Sequence, residues 1–213
     1  MGTTRWYRER RRETYHRRAK AEGYRARSAY KLKQVDERFR LLKEGMAAAD
    51  LGCAPGGWSQ VLAEAVGPDG YVLGVDLRRV APVPGVRFVQ GDLTVDETHE
   101  RIARELAAAG RDHFDVVVSD MAPDMTGSYQ VDQARSVHLC EMALRAAARH
   151  LRDGGHFVCK VFEGADFVAF REEVRRLFRS VRQFHPPASR KQSSEVYLVA
   201  MRFRGAPDQD EEE

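Results

Sequence analysis

Six short apolar runs alternating with helical stretches predict an α/β domain, a mostly parallel sheet with helices on both faces. Two further observations point the same way. A glycine turn, Asp50–Gln60 (DLGCAPGGWSQ), follows the first run, where ligands bind in open parallel sheets. Three charged residues also stand at the ends of such runs: Asp120 after Phe114–Ser119, Lys160 after His156–Cys159, and Glu195 opening Glu195–Met201. If the first two of these strands are parallel and the third antiparallel, their charges converge on one edge of the sheet.

Taken in order, residues 1–27 are polar and basic, sprinkled with Trp6, Tyr7, Tyr15 and Tyr24, and show no sustained apolar stripe. Ser28 reads as an N-cap, and Leu32, Val35 and Phe39 behind it recur at helical spacing. On that helix Lys31 shares the apolar side, whereas Lys33 points to solvent. Buried strands are expected at Met46–Leu51, Tyr71–Val75, Val86–Val89, Phe114–Val118, Phe157–Val161 and Val196–Met201. Helices are expected at Trp58–Ala65, Glu97–Ala109, Asp132–Leu151 and Asp166–Phe178. The third of these carries a clear apolar face of Leu139, Met142, Ala143, Ala146 and Leu151. Gly67–Gly70, Pro82–Gly85 and Asp153–Gly155 punctuate the elements as turns.

The 213 residues therefore divide into a basic N-terminal arm (1–27), one domain (28–204) and an acidic tail (205–213) expected to be disordered. A net charge of only +3 hides this asymmetry: residues 1–33 hold twelve Lys or Arg against three Glu, while Asp208–Glu213 is almost wholly acidic. Basic arms favour polyanions. No apolar stretch approaches the roughly 20 residues that span a bilayer, and no secretory pattern follows the basic start. Three cysteines without a CxxC pair indicate neither a disulfide framework nor zinc, so Cys53 and Cys159 read as small buried fillers and the setting as cytoplasmic. None of the seven histidines has metal-ligand spacing; surface or packing roles are expected for all, and no metal is called for.

In the glycine turn, Gly52, Gly56 and Gly57 permit sharp turning and close approach of backbone to a ligand. Asp76 ends the second strand 20 residues after Gly56 and can accept both hydroxyls of a ribose. Asp92, ending the third strand, can meet an adenine amino group. Nicotinamide dinucleotides and S-adenosylmethionine (SAM) share these features, and spacing separates them. A dinucleotide turn reads G-x-G-x-x-G with helix amides facing a pyrophosphate, whereas this one reads G-C-A-P-G-G. An adenosyl ligand without phosphate fits better.

With RARSAYKL (25–32), DLGCAPGGWSQ (50–60), SDMAPDMTG (119–127), KVF (160–162) and EVYLVA (195–200) in order, the chain resembles the FtsJ-type RNA 2′-O-methyltransferases from about Gly23 to Phe203. That resemblance implies a Rossmann-like fold with a seven-stranded, mostly parallel sheet containing one antiparallel strand. It places a Lys-Asp-Lys-Glu tetrad on Lys31, Asp120, Lys160 and Glu195. It also implies SAM as cofactor, contacted by Gly56, Trp58, Asp76, Asp92 and Asp120, with Gly52, Gly57, Leu77 and Leu93 completing the set.

In such an enzyme Lys160 would accept or steer the 2′-hydroxyl proton. A free lysine, with a pKa near ~10.4, is protonated, so like-charge repulsion from Lys31 is expected to lower it. Asp120 would orient Lys160 and meet the cofactor's positive end, and Glu195 would hold Lys31 or the ribose. Met121, Met125 and Tyr129 are candidates for the pocket floor. The arm, and a second basic cluster at Ser189–Lys191, would grip RNA by phosphate contacts and base stacking. The expected substrate is a uridine of large-subunit ribosomal RNA, acted on by a monomer. A tRNA anticodon-loop methyltransferase and a noncatalytic RNA-binding ribosome assembly factor are the alternatives, and the turn spacing disfavours a nicotinamide oxidoreductase.

Overall fold

A computed structural model describes residues 15–189 and 194–205. A first helix, α1, covers 15–21 and is followed by α2 (Ala29–Phe39), β1 (Ala47–Leu51), α3 (Gly57–Val66), β2 (Tyr71–Asp76) and β3 (Val86–Gln90). Then come α4 (Asp96–Ala108), β4 (Phe114–Ser119), α5 (Tyr129–His150), β5 (Leu151–Phe162), α6 (Phe167–Leu177), β6 (Phe178–Phe184) and β7 (Glu195–Phe203). The seven strands pair in the order β3-β2-β1-β4-β5-β7-β6. Only β7 runs against the rest, antiparallel to both β5 and β6.

Period-two alternation divides the apolar side chains between two cores. On one face Leu51, Val75, Val117, Cys159, Val161, Val196 and Leu198 pack beneath α4, α5 and α6. On the other, Ala48, Val72, Val116, Val118, Val158, Tyr197 and Val199 pack beneath α1, α2 and α3. The order of connection reverses between β1 and β4, which opens a crevice beyond their C-terminal ends. Leu51 pairs with Ser119, so the glycine turn and Asp120 leave the sheet side by side.

Three local expectations are corrected. Ser28 does not cap α2 with its side chain; its backbone is already helical (φ −63°, ψ −19°). The helix instead begins through tight i to i+3 bonds, with the amides of Ala29, Tyr30 and Lys31 on the carbonyls of Ala26, Arg27 and Ser28. Lys33 is not simply solvated: its ammonium lies 4.4 Å from the Tyr24 ring centroid and 3.6 Å from Glu64. The part of the arm that is described does not stand apart from the domain either, since Ala19 and Tyr24 are buried in the second core and Tyr15 rests on Tyr30. The remainder of the arm (1–14), the Arg190–Lys191 part of the second basic cluster and the tail from 206 lie outside the described residues. No helix among the described residues is long and apolar enough to cross a membrane.

β6 is the strand that the apolar runs do not reveal. Its sequence, FRSVRQF, spaces its large apolar residues three apart, and as an edge strand it leaves most of its side chains partly or fully exposed.

Candidate active site

Lys160, Tyr197 and Glu195 share one sheet face because β5 and β7 pair in antiparallel register, Lys160 opposite Tyr197 and Phe162 opposite Glu195. Asp120 continues the parity of Val116 and Val118, which places it on that face too. α2 lies across the same face and brings Lys31 to it.

The contacts form two ammonium–carboxylate pairs. Lys31 Nζ donates to Glu195 Oε1 at 2.6 Å, and Ser189 Oγ donates to the same oxygen at 2.8 Å. Lys160 Nζ lies 3.0 Å from Asp120 Oδ1 and donates to the Asp120 carbonyl at 2.6 Å. The Tyr197 hydroxyl, which sequence reading passes over as a core aromatic, donates to Asp120 Oδ1 at 2.7 Å. Lys31 also stands 5.7 Å from the Tyr197 ring centroid, so the phenol touches both pairs. Burial, with Asp120 and Glu195 adding to it, pushes the Tyr197 phenol well above its ordinary range, so it stays a proton donor. The structure thus brings all four expected charged residues into one cluster. It answers the expected Lys31–Lys160 repulsion differently from the sequence, because each ammonium has its own carboxylate.

The glycine turn lies beside this cluster. A Cβ on Gly52 (φ +72°) would meet Met121 Cγ at 2.1 Å, so the residue after Asp120 fills the space that this glycine leaves. A Cβ on Gly56 (φ +106°) would meet Arg25 and Val83, and one on Gly57 would meet Ala26. The close approaches at these positions are therefore made by the chain's own residues. Trp58 is buried: its indole N–H donates to the Ser28 carbonyl at 2.8 Å, and its ring rests against Tyr197 at 5.7 Å. Its ring thus backs the cluster from inside the second core.

The acids expected to hold an adenosyl group ring the crevice. Asp76 accepts the Ala54 N–H on Oδ2 and the Arg78 N–H on Oδ1, each at 2.8 Å, which fixes both its own carboxylate and the turn. Asp92 lies two residues beyond β3 and accepts the Thr94 N–H and hydroxyl on Oδ1; those bonds hold its carboxyl below the usual range. Leu77 is exposed, and Leu93 packs partly buried against the main core. Asp50, which sequence reading left without a role, is buried at the root of the turn and accepts the Ser59 hydroxyl at 2.6 Å. Burial pushes its carboxyl up to about 7, and Asp120 and Asp76 add to the shift. Three carboxyl groups thus surround the turn. Asp120 is offset by Lys160 and Asp76 by Arg78, so the turn carries carboxyls and their cationic partners together.

Met121 packs at the site, but Met125 and Tyr129 do not floor it. Both are exposed on the segment beyond Asp120, where the Tyr129 hydroxyl donates to the Glu163 carbonyl. That segment is held from α5 by the buried Asp132, which accepts the amides of Thr126 and Gly127. Of the histidines, His99 and His150 form a buried pair, Nδ1 to Nε2 3.0 Å, and His99 Nε2 faces the Leu93 carbonyl at 2.9 Å.

The profile of one protein family, described as FtsJ-like methyltransferase, matches residues 24–203. A ribosomal RNA large subunit methyltransferase E from Azoarcus sp. is 50% identical over 93% of this chain and 96% of its own length. A protein of the same name from Methanothrix thermoacetophila is 50% identical over 91% of this chain and 73% of its own length. Among solved structures, a ribosomal RNA methyltransferase from Plasmodium falciparum superposes with a TM-score of 0.77 at 27% identity, covering 85% of this chain and all of that one.

Proposed function

Since the chain belongs to the FtsJ-like methyltransferase family, we propose that it methylates a ribose 2′-hydroxyl of large-subunit ribosomal RNA, at a uridine, using SAM. The observation that carries this reading is the pair of ammonium–carboxylate contacts joined through Tyr197 beside the glycine turn. The names of the relatives support the ribosomal substrate.

SAM, when bound, supplies a methyl carbon already activated by its sulfonium. Asp76 and Asp92 are the residues to hold its ribose and adenine, and Asp120, with the buried Asp50 behind it, is suited to its positive end. The work left to the protein is to position the ribose 2′-hydroxyl in line and to remove its proton. Lys160 directs N–H groups to the carbonyl and the carboxylate of Asp120, which fixes its amine and leaves one valence for substrate. Having first given up a proton to solvent, its amine would take the 2′-hydroxyl proton while the O–C bond forms and the S–C bond of the donor breaks, with S-adenosylhomocysteine leaving. Asp120 then steadies the resulting ammonium, and Tyr197 holds the same carboxylate oxygen in place. Glu195 keeps Lys31 at the rim, where its charge can meet a phosphate or the ribose.

The test is methyl transfer from isotopically labelled SAM to isolated large ribosomal subunits lacking the modification, followed by mapping of 2′-O-methyl sites. Label at one uridine ribose is expected. Label on a base or only on tRNA would replace the proposed substrate, and no transfer to any RNA would favour the noncatalytic assembly factor.

A further inference from the structure

Arg25 lies at the junction of the basic arm and the domain, and its guanidinium is spent on the protein itself. It donates to the carbonyls of Pro55 at 3.2 Å, Ala81 at 2.5 Å and Pro82. Pro55 belongs to the turn after β1. Ala81 and Pro82 belong to the loop between β2 and β3, which begins at Leu77, just after Asp76. One side chain thus ties together the two loops that follow the neighbouring strands β1 and β2.

The backbone reinforces the tie. The Arg25 N–H donates to Gln60 Oε1 and Gln60 Nε2 donates back to the Gly23 carbonyl, both at 2.9 Å, so α3 grips the segment from beneath. The turn is shaped to receive this strap. A side chain at Gly56 would press on Arg25 Nη1 and Cδ at 3.2 and 3.4 Å, and one at Gly57 would press on Ala26 at 3.1 Å. Arg25 is exposed and makes no part of the apolar core. Its bonds therefore set the distance between two loops more than they hold the fold together. A planar guanidinium can serve three carbonyls on two loops at once, which an ammonium at the end of a single chain cannot reproduce.

We infer that Arg25 is a positioning residue for the methyl-donor site, holding the glycine turn and the β2–β3 loop at the separation that an adenosyl group requires. The inference rests on reading the crevice between those loops as the SAM site. It assigns Arg25 to cofactor affinity and not to RNA contact, although it belongs to a run of basic residues.

The test measures binding of S-adenosylhomocysteine by calorimetry, together with KM for SAM and kcat, in the full-length protein and in Arg25→Gln and Arg25→Lys. Arg25→Gln should raise Kd and KM about tenfold, the size expected for losing one or two charge-assisted hydrogen bonds. Arg25→Lys should fall between that variant and the parent, and kcat at saturating SAM should stay within about twofold throughout. A thermal midpoint close to the parent's is expected for both variants, because the side chain is exposed. Unchanged Kd in Arg25→Gln, or a loss of kcat with KM intact, would overturn the inference while leaving the methyltransferase reading standing. Failure of the parent protein itself to bind S-adenosylhomocysteine would overturn both.

Discussion

Replacing His150 with glutamine should remove a stability loss that the protein otherwise suffers in mild acid. His150 closes α5 and is 7% exposed. Its Nε2 stands 3.0 Å from His99 Nδ1, and His99 Nε2 stands 2.9 Å from the Leu93 carbonyl. A carbonyl only accepts, so His99 carries its proton on Nε2 and His150 donates from Nε2 to His99 Nδ1. Burial, then His99, Arg149 and His113, push His150 down to about 4 from its ordinary 6.5. The unfolded chain therefore binds a proton between those values that the folded chain refuses. Stability from this group is complete above about 6.5 and is lost as pH falls toward 4. At about 1.4 kcal/mol per unit, the span amounts to roughly 3 kcal/mol.

Glutamine keeps an N–H to offer His99 and cannot titrate. Urea unfolding of both proteins from pH 7.5 to 4.0 reads the effect of the His99–His150 pair, because groups remote from it cancel in the difference. That cancellation matters here. Asp50, raised to about 7 by burial, acts with the opposite sign and gains stability over part of the same range as pH falls. The parent should lose about 3 kcal/mol relative to His150→Gln between pH 6.5 and 4. A difference that stays constant across the series would refute the reasoning.

Lys160→Ala should abolish methyl transfer while calorimetry still detects binding of S-adenosylhomocysteine; equal loss of both would remove Lys160 from the chemical step. Asp76→Ala should show the opposite emphasis, with cofactor affinity falling at least tenfold because both the ribose partner and the tether on the Ala54 amide go together. Tyr197→Phe deletes one donor to the Asp120 carboxylate and should lower kcat by roughly tenfold or more, a cost of about 1.5–3 kcal/mol for a hydrogen bond to a charged group; an unchanged kcat would show that Lys160 alone holds Asp120. Removing residues 1–14, which spares Tyr15 and the buried Ala19, should weaken RNA binding and flatten its dependence on salt while leaving cofactor affinity in place, and an unaltered salt slope would count against the arm.

Much of the architecture is legible in the residues because strands buried on both sides read as apolar runs, and glycine and proline mark the turns between them. Asp120, Lys160 and Glu195 are legible for a related reason: a charge where an apolar run begins or ends stands out against its neighbours, whereas Lys31, within a helix, joins them only through the family resemblance. β6 escapes notice because an edge strand has no such contrast with its surroundings. Tyr197 escapes for the reverse reason, an aromatic within an apolar run being indistinguishable from core, although its two-residue offset from Glu195 places both on one face. Arg25 and Lys33 mislead because cations in a basic segment suggest solvent or polyanions. Only the folded chain reveals that carbonyls engage the first and that a tyrosine ring and a carboxylate engage the second. Trp58 stands in the cofactor motif, and its burial follows from packing across the sheet that no local pattern encodes.

The placement of β7 between β5 and β6 ties catalysis to completion of folding. β6 joins the sheet only through β7, and β7 carries both Glu195 and Tyr197. A chain that had assembled every element as far as β5 would still have an open edge where that strand belongs. Lys31 would lack its carboxylate and Asp120 its tyrosine donor, although Lys160 would already stand beside Asp120, and the crevice beyond β1 and β4 would already be formed. Such an intermediate could hold the nucleoside and could not use it. Activity should therefore appear in refolding no earlier than the pairing of β7, which makes it a stricter reporter of the native state than cofactor binding.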